Sequence, residues 1–506
     1  MKFTLRIIPF IVALLIAFPS PALAQATQRQ MASVSVDWSK TEIISQTTAT
    51  LQVVVNPPLR RGNVVHDGAF GALRDLKADY VRYVPWLPYP RLAVAELEPP
   101  TKDKTSWDFT LIDPMTIDFF NATAGHSTIL NFSTIPQWMF KTDKPVQIPA
   151  DPSQVFWDYT QGTELRDPSM KELAGYYGRL AAWYSAGGFV DENGVRHDSG
   201  YHYPIDYWEV FNEIDFEHQT TAAQYTQRYD AVVSAIHAVS PHTRFVGLAL
   251  ADPRGHLPYF EYFLNPQNHA AGIPLDWISY HFYATPGDKE TVEQWQTTFF
   301  KQADDFLTAV RTIEAIRKRL SPATKTTIDE VGVILPNDNN LDPENRIPPI
   351  YWNAAASLYA YLYVELGRLG IDVVGESQLV GCPTQYPSVT MIDWKNGKPN
   401  ARFWVLKLIK DNFGPGDGLL DTRCEPGEAE DLDLKVQAFK TATGRKLLVI
   451  NKRNASETLQ LPPDAAGGRI EKVDLSTGEN PAASSVLDGT TISLNPFEVA
   501  VIHFAH

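Results

Sequence analysis

The sequence predicts an α/β protein: a (β/α)8 barrel carrying an accessory all-β sandwich, built from the C-terminal region together with N-terminal strands. Three observations predict it. Between residues 64 and 412 short apolar strands alternate, about seven times, with amphipathic helical stretches, the pattern of buried parallel strands. No strand is followed by a Gly-rich phosphate-binding turn, which disfavours a doubly wound sheet. Beyond Asp421 the alternation gives way to short strands separated by Thr-Gly-Arg, Pro-Pro-Asp, Gly-Gly and Asp-Gly turns, the texture of a small β domain.

In order, residues 1–24 read as a secretory signal: Lys2 and Arg6, an apolar run from Ile7 to Phe18, then Ala22-Leu23-Ala24 before the cleavage point. The run is short for a membrane span, and no Cys follows for a lipid anchor. A secreted or periplasmic protein is expected, without integral membrane association. Residues 25–60 hold two strands, Ser33 to Val36 and Thr48 to Val55, ended by Pro57-Pro58; they are assigned to the accessory β domain, because a lone hairpin is marginal. Residues 61–420 form the barrel. Its strands are expected at Asp79–Trp86, Ser127–Phe132, Tyr207–Asn212, Phe245–Leu250, Trp277–Phe282, Thr326–Val333 and Val373–Leu379, with the first strand of the eight the least defined. Helices are expected at Thr110–Ala124, Pro168–Ala186, Ala222–Val239, Val292–Leu320, Tyr351–Leu369 and Asn400–Asn412. Residues 421–506 form the β-sandwich.

The chain has a formal net charge of -15, which becomes -17 once the two basic signal residues are removed. An acidic chain without a basic run argues against nucleic acid as a partner. With 12 Trp and 11% aromatic residues, rings are available as platforms for sugars, and Trp138 and Trp394 are the candidates. The two cysteines, Cys382 and Cys424, could close a loop of about 40 residues in an exported protein. Neither has a Cys or His at ligand spacing, so no metal and no cofactor is expected.

A barrel places its functional residues at strand C-termini, on one face, and the sequence has polar residues there. The second strand carries Arg82, the third Asn131, the fourth ends at Asn212-Glu213, the sixth holds His281 and Tyr283, and the seventh holds Glu330. An Arg and two carboxyl groups in one cup suit glycosidic bond cleavage, which needs one acid to protonate the leaving oxygen and one carboxylate to attack or to activate water. Asp215, Glu217 and His218 read as a solvated acidic loop. Asn131 also sits in an Asn-Phe-Ser sequon that a strand-end position would make unusable.

These residues carry a resemblance. Asn-Glu closing the fourth strand and a Glu on the seventh, 330 - 213 = 117 residues on, resemble the clan of barrel glycoside hydrolases with two catalytic glutamates. Tyr207-Trp208-Glu209-Val210-Phe211-Asn212-Glu213, His281-Phe282-Tyr283, the run from Trp107 to Asp113 and the run from Asn396 to Trp404 are similar to family 39, which includes β-xylosidases and α-L-iduronidase. The resemblance implies a retaining hydrolase acting on a glycoside, an oligosaccharide or a polysaccharide through a covalent glycosyl-enzyme. Glu330 would be the nucleophile and Glu213 the acid/base; Arg82 and Tyr283 would keep Glu330 ionised, Asn212 would bind the sugar 2-hydroxyl, and His281 would hold Glu213 or the sugar. Two departures bear on the substrate: Ile214 stands where the family has Pro after the acid, and Ile328-Asp329-Glu330-Val331-Gly332 differs from the family's surroundings. An endo-glycanase, a uronic-acid-releasing enzyme and a non-catalytic carbohydrate-binding barrel are the alternatives.

Overall fold

The computed structural model describes residues 31–142, 147–157, 162–340, 347–425 and 433–505; the stretch read as a secretory signal, 1–24, lies outside them. Eight strands close into a barrel in chain order: Thr48–Val54, Val81–Val84, Thr128–Leu130, Tyr207–Glu209, Arg244–Leu250, Trp277–Ala284, Lys325–Val333 and Val373–Glu376. Every neighbouring pair is parallel. The strand missing from the seven read in the sequence is Thr48–Val54, which pairs with Val373–Glu376 on one side and Val81–Val84 on the other. The barrel therefore begins near residue 48, and of the two N-terminal strands only Ala32–Ile44 joins the β domain. A strand buried on both faces, as Thr48–Val54 is throughout, reads the same in a barrel wall as in a sandwich.

The helices follow from pattern and caps. Ala222–Val239 starts at Thr221, whose side chain and that of Gln224 form a capping box. The helical stretch expected from Val292 is one helix to Leu320, opened by a second box at Thr291 and Gln294. Pro349–Leu369 is buried on almost every side, because the barrel wall lies against one face and the β domain against the other. Gly370 ends it in the left-handed region, φ 80°. No helix of the described residues is long and apolar enough to cross a membrane.

The β domain is a nine-stranded sheet that includes Ala32–Ile44 and begins its C-terminal part at Gly418. Leu459, Ile492 and Leu494 from one end share a core with Ile470 and Leu487 from the other, so the sheet folds over itself. In its strand Gly444–Asn451, Leu447 and Val449 face that core, whereas Leu448 and Ile450 belong to the barrel's core. This is strand alternation used to cover both sides. Ser357 of the long helix donates a hydrogen bond to the Asn451 carbonyl across the junction, 2.8 Å.

Inside the barrel the same alternation builds layers. Ile129, Tyr207, Val246, Trp277 and Val373 form an apolar floor. Two residues further along three of these strands the interior turns polar, with Asn131 above Ile129, Glu209 above Tyr207, and Ser279 then His281 above Trp277. That polar layer lies toward the C-terminal ends of the strands.

Candidate active site

Arg82 is the hub. Its side chain is wholly buried, and a guanidinium without water must have its donors met by acceptors, preferably charged ones. Nε donates to Glu209 (2.5 Å), Nη1 to Gln52 (2.6 Å) and to Glu330 (2.5 Å), and Nη2 to the Asn212 side-chain oxygen (2.6 Å). Burial alone would weaken its charge, but Glu209, Asp329 and Glu330 outweigh that and hold the group firmly protonated.

Glu330 receives a second hydrogen bond from the Tyr283 hydroxyl, 2.5 Å. The Tyr283 and Ser377 hydroxyls are also 2.5 Å apart, and Gln52 Nε2 donates to Ser377 at 2.6 Å. A phenol has one proton and a carboxylate only accepts, so the Tyr283 proton goes to Glu330 and Ser377 is left to donate to Tyr283. Burial pushes the Glu330 carboxyl up. The charges of His281 and Arg82, with the hydrogen bonds from Tyr283 and Arg82, more than reverse this and keep it below the ordinary glutamate value.

Glu213 is reached through strained backbone. Phe211 and Glu213 both have positive φ, 68° and 40°, costing roughly 1–3 kcal/mol each. The Glu213 amide donates to the Ala249 carbonyl, 2.8 Å, which fixes the turn. The side chain keeps 19% of its surface exposed and accepts from His281 Nδ1 at 3.0 Å. Burial raises its pKa; His281 opposes this, and the charge of Glu330 adds to it. Glu213 is thus pushed toward the acid form and Glu330 toward the base form. His281, despite burial, is raised to about 9 by Glu330 and Glu213, so it stands as an imidazolium beside both.

The seventh strand shifts register against both neighbours around residues 328–330. Adjacent strand residues normally face opposite ways, and such an irregularity relaxes that rule. Asp329 therefore also faces inward, 3.5 Å from Arg82 Nε and 3.6 Å from His281 Nε2. No donor reaches either of its oxygens, and burial, together with the charge of Glu209 and a hydrogen bond shared with that carboxylate, drives its pKa well up.

Asn131 is buried too, and its amide donates to Glu209 (2.5 Å) and to the Phe211 carbonyl (3.0 Å). It braces the layer beneath the cup, and its sequon is shut away. Above the glutamates lies a cavity of about 130 Å³, with Trp86, Tyr386 and Gln378 among its walls. Trp86 stacks with Tyr386 at 6.0 Å and meets Trp157 edge-on at 5.5 Å.

The two Trp residues picked from sequence lie elsewhere. Trp138 donates its indole N–H to the Glu96 carbonyl and is covered by Arg166, 4.5 Å from its ring centre. Trp394 lines a separate, larger cavity with Trp352, behind the turn Pro387–Val389. Cys382 and Cys424 are not disulfide-bonded: the first is in the barrel loops and the second is on a β-domain strand paired with Val34. The acidic loop is not wholly solvated either, since Glu217 turns back to accept from Trp86 (2.6 Å) and Asn212 (2.8 Å).

Sequence reasoning passed over Gln52, Trp86, Glu209 and Asp329. Glu209 and Asp329 carried a usable signal, since a carboxylate inside a strand that must be buried needs a partner. Glu213, His281 and Glu330 offer atoms within 4.8 Å of one another, close enough for one cation. However, both Glu330 oxygens and His281 Nδ1 are already engaged, and Arg82 sits 2.5 Å from one of those oxygens. These donors do not fit a metal ion.

A family model for the C-terminal immunoglobulin-like domain of D-apionate lactonase matches residues 433–502. No curated protein matches in sequence. Among solved structures, a family 51 α-L-arabinofuranosidase from Bifidobacterium longum aligns with a TM-score of 0.61 at 12% identity, covering 94% of this chain and 99% of that one. A glucosidase from Croceicoccus marinus gives 0.59 at 14% identity, covering 94% and 99%. A GH30 endoxylanase from Clostridium papyrosolvens gives 0.55 at 12% identity, covering 94% and 100%. At such identities the likeness establishes a shared fold: an α/β barrel with an accessory β domain.

Proposed function

We propose that the protein is an exported glycoside hydrolase that cleaves O-glycosidic bonds with retention, releasing single sugar units. The observation that carries this reading is the asymmetry of Glu213 and Glu330. Two carboxyl groups with oxygens within 4.8 Å of each other are pushed in opposite directions, one toward the acid and one toward the carboxylate. Oxygens this close support a retaining pair, whose carboxyl groups stand about 5–5.5 Å apart, over an inverting pair, which holds them roughly 6.5–9.5 Å apart. The similar solved structures are of a glucosidase, an endoxylanase and an α-L-arabinofuranosidase, which supports the same class.

In this reading Glu330 attacks the anomeric carbon while Glu213 gives its proton to the leaving oxygen. The glycosylated Glu330 no longer carries a charge. Its contribution to the raised pKa of Glu213 then disappears, and Glu213 takes a proton from the water that attacks the glycosyl ester, restoring both residues. Asn212, held by Arg82, would donate to the sugar 2-hydroxyl, and His281, bonded to Glu213, would keep it aimed. A cavity of about 130 Å³, well under the roughly 300 Å³ of pockets for larger ligands, supports exo action.

A second reading, hydrolysis of a sugar lactone, is favoured by the family match to residues 433–502. That match contains none of the cup residues, so it bears on the β domain alone. The test is a panel of aryl glycosides and aldonolactones assayed with the parent, Glu330→Ala and Glu213→Ala. Glycoside cleavage abolished by Glu330→Ala supports the first reading. Lactone turnover without glycoside cleavage supports the second.

A further inference from the structure

The residues after Glu213 form a tight turn: the Glu213 carbonyl accepts from the amides of Phe216 (2.8 Å) and Glu217 (2.7 Å). Asp215 anchors the turn by accepting from the amides of Ala251 (3.0 Å) and Asp252 (2.9 Å). Phe216 points outward, 72% exposed, and Glu217 points back. One of its oxygens receives both Asn212 Nδ2 and Trp86 Nε1; the other is buried with no partner. Asn212 and Trp86 are both walls of the catalytic cavity.

We propose that Glu217 is a specificity-determining residue of this cavity: by clamping Asn212 and Trp86 it makes the pocket one for a neutral sugar that offers a hydroxyl to the remaining Asn212 N–H. This rests on the glycosidase reading and narrows it to a substrate class. Arg82 can only donate, so it takes the Asn212 oxygen, and Glu217 takes one amide hydrogen. The amide cannot flip, and one N–H is left for a ligand. Trp86, its N–H spent, presents only its ring. None of the described residues lining the cavity is a Lys, Arg or His; Arg82 donates to Glu209, Gln52, Glu330 and Asn212, and His281 gives Nδ1 to Glu213 while its buried Nε2 faces Asp329, 3.6 Å away. A uronate carboxylate entering this cavity would lie near Glu330 with no cation to pair it, a costly burial. Burial pushes Glu217 up to about 8, so at neutral pH the clamp is mostly an uncharged acid. Glutamine can imitate that acid.

Glu217 touches no reacting atom in this account; it is a positioning residue. The test uses 4-nitrophenyl xyloside, arabinoside, glucoside, 2-deoxyglucoside and glucuronide with the parent, Glu217→Ala and Glu217→Gln. The parent should cleave neutral glycosides and leave the glucuronide. Glu217→Ala should lower kcat/KM on the 2-hydroxy substrate about tenfold or more, a lost hydrogen bond's worth, and lower it far less on the 2-deoxy one. Glu217→Gln should restore the difference. Equal losses on the two substrates, Gln as damaging as Ala, or glucuronide cleaved as readily as glucoside would each overturn the proposal. If the parent cleaves no glycoside, the glycosidase reading fails on its own. Tryptophan-fluorescence titration with gluconolactone against glucarolactone then decides the clamp. Preference for the neutral lactone, lost in Glu217→Ala and regained in Glu217→Gln, upholds it, and equal binding of the two lactones by the parent overturns it.

Discussion

Replacing Tyr283 by Phe tests how Glu330 is kept ionised. The substitution keeps the ring and deletes one hydroxyl, the donor to Glu330 Oε2 at 2.5 Å. Hydrogen bonds to a charged group are worth about 1.5–3 kcal/mol, and one pKa unit is about 1.4 kcal/mol. Losing the bond should therefore raise the Glu330 pKa by about 1–2 units. A group whose pKa is depressed is active above that pKa and fails as pH falls through it. The acid limb of kcat/KM in the variant should thus move upward in pH by that amount, while the alkaline limb, set by loss of the Glu213 proton, stays. The assay is kcat/KM for the best aryl glycoside across the full pH range. A limb that does not move, or moves downward, would refute the argument that Tyr283 donates to an ionised Glu330.

The remaining predictions concern different parts of the account. Glu213→Ala should spare substrates with good leaving groups far more than poor ones, and added azide should restore rate by occupying the space of the lost base, read as the appearance of a glycosyl azide. Arg82→Met should unfold at lower urea concentration, by about 3–5 kcal/mol, because it strands Glu209 and Glu330 in a dry interior; urea titration followed by circular dichroism measures it. Thiol alkylation under denaturing conditions without reductant should label both Cys382 and Cys424, since they are not bonded to each other, and mass spectrometry counts the labels.

Much of the cup could be read from the sequence because its chemistry is local. Asn212-Glu213 after an apolar strand and Glu330 three βα units later need only the barrel rule to bring them together. The rest depended on pairing and register. Thr48–Val54 was given to the wrong domain because nothing within seven buried residues says whether the neighbouring strand runs parallel or antiparallel. Asp329 escaped notice because strict alternation turns it away from Glu330, and only the register shift around residues 328–330 brings both inward. Glu217 was placed in solvent because its loop is acidic; the turn closed on the Glu213 carbonyl reverses the chain and returns it to the site. Trp138 and Trp394 show the opposite limit, since a ring's availability depends on what covers it, and an Arg166 guanidinium over Trp138 leaves no trace in the local sequence.

The central claim is that Glu330 forms a covalent bond to the sugar while Glu213 handles the proton. Incubating the parent with a panel of activated 2-deoxy-2-fluoro glycosides, then measuring intact mass and mapping peptides, addresses it directly. The account predicts a mass increase of one fluoroglycosyl unit, located on Glu330 and absent from Glu330→Gln. An adduct on another residue, or steady glycoside turnover with an inverted anomer and no adduct, would contradict it.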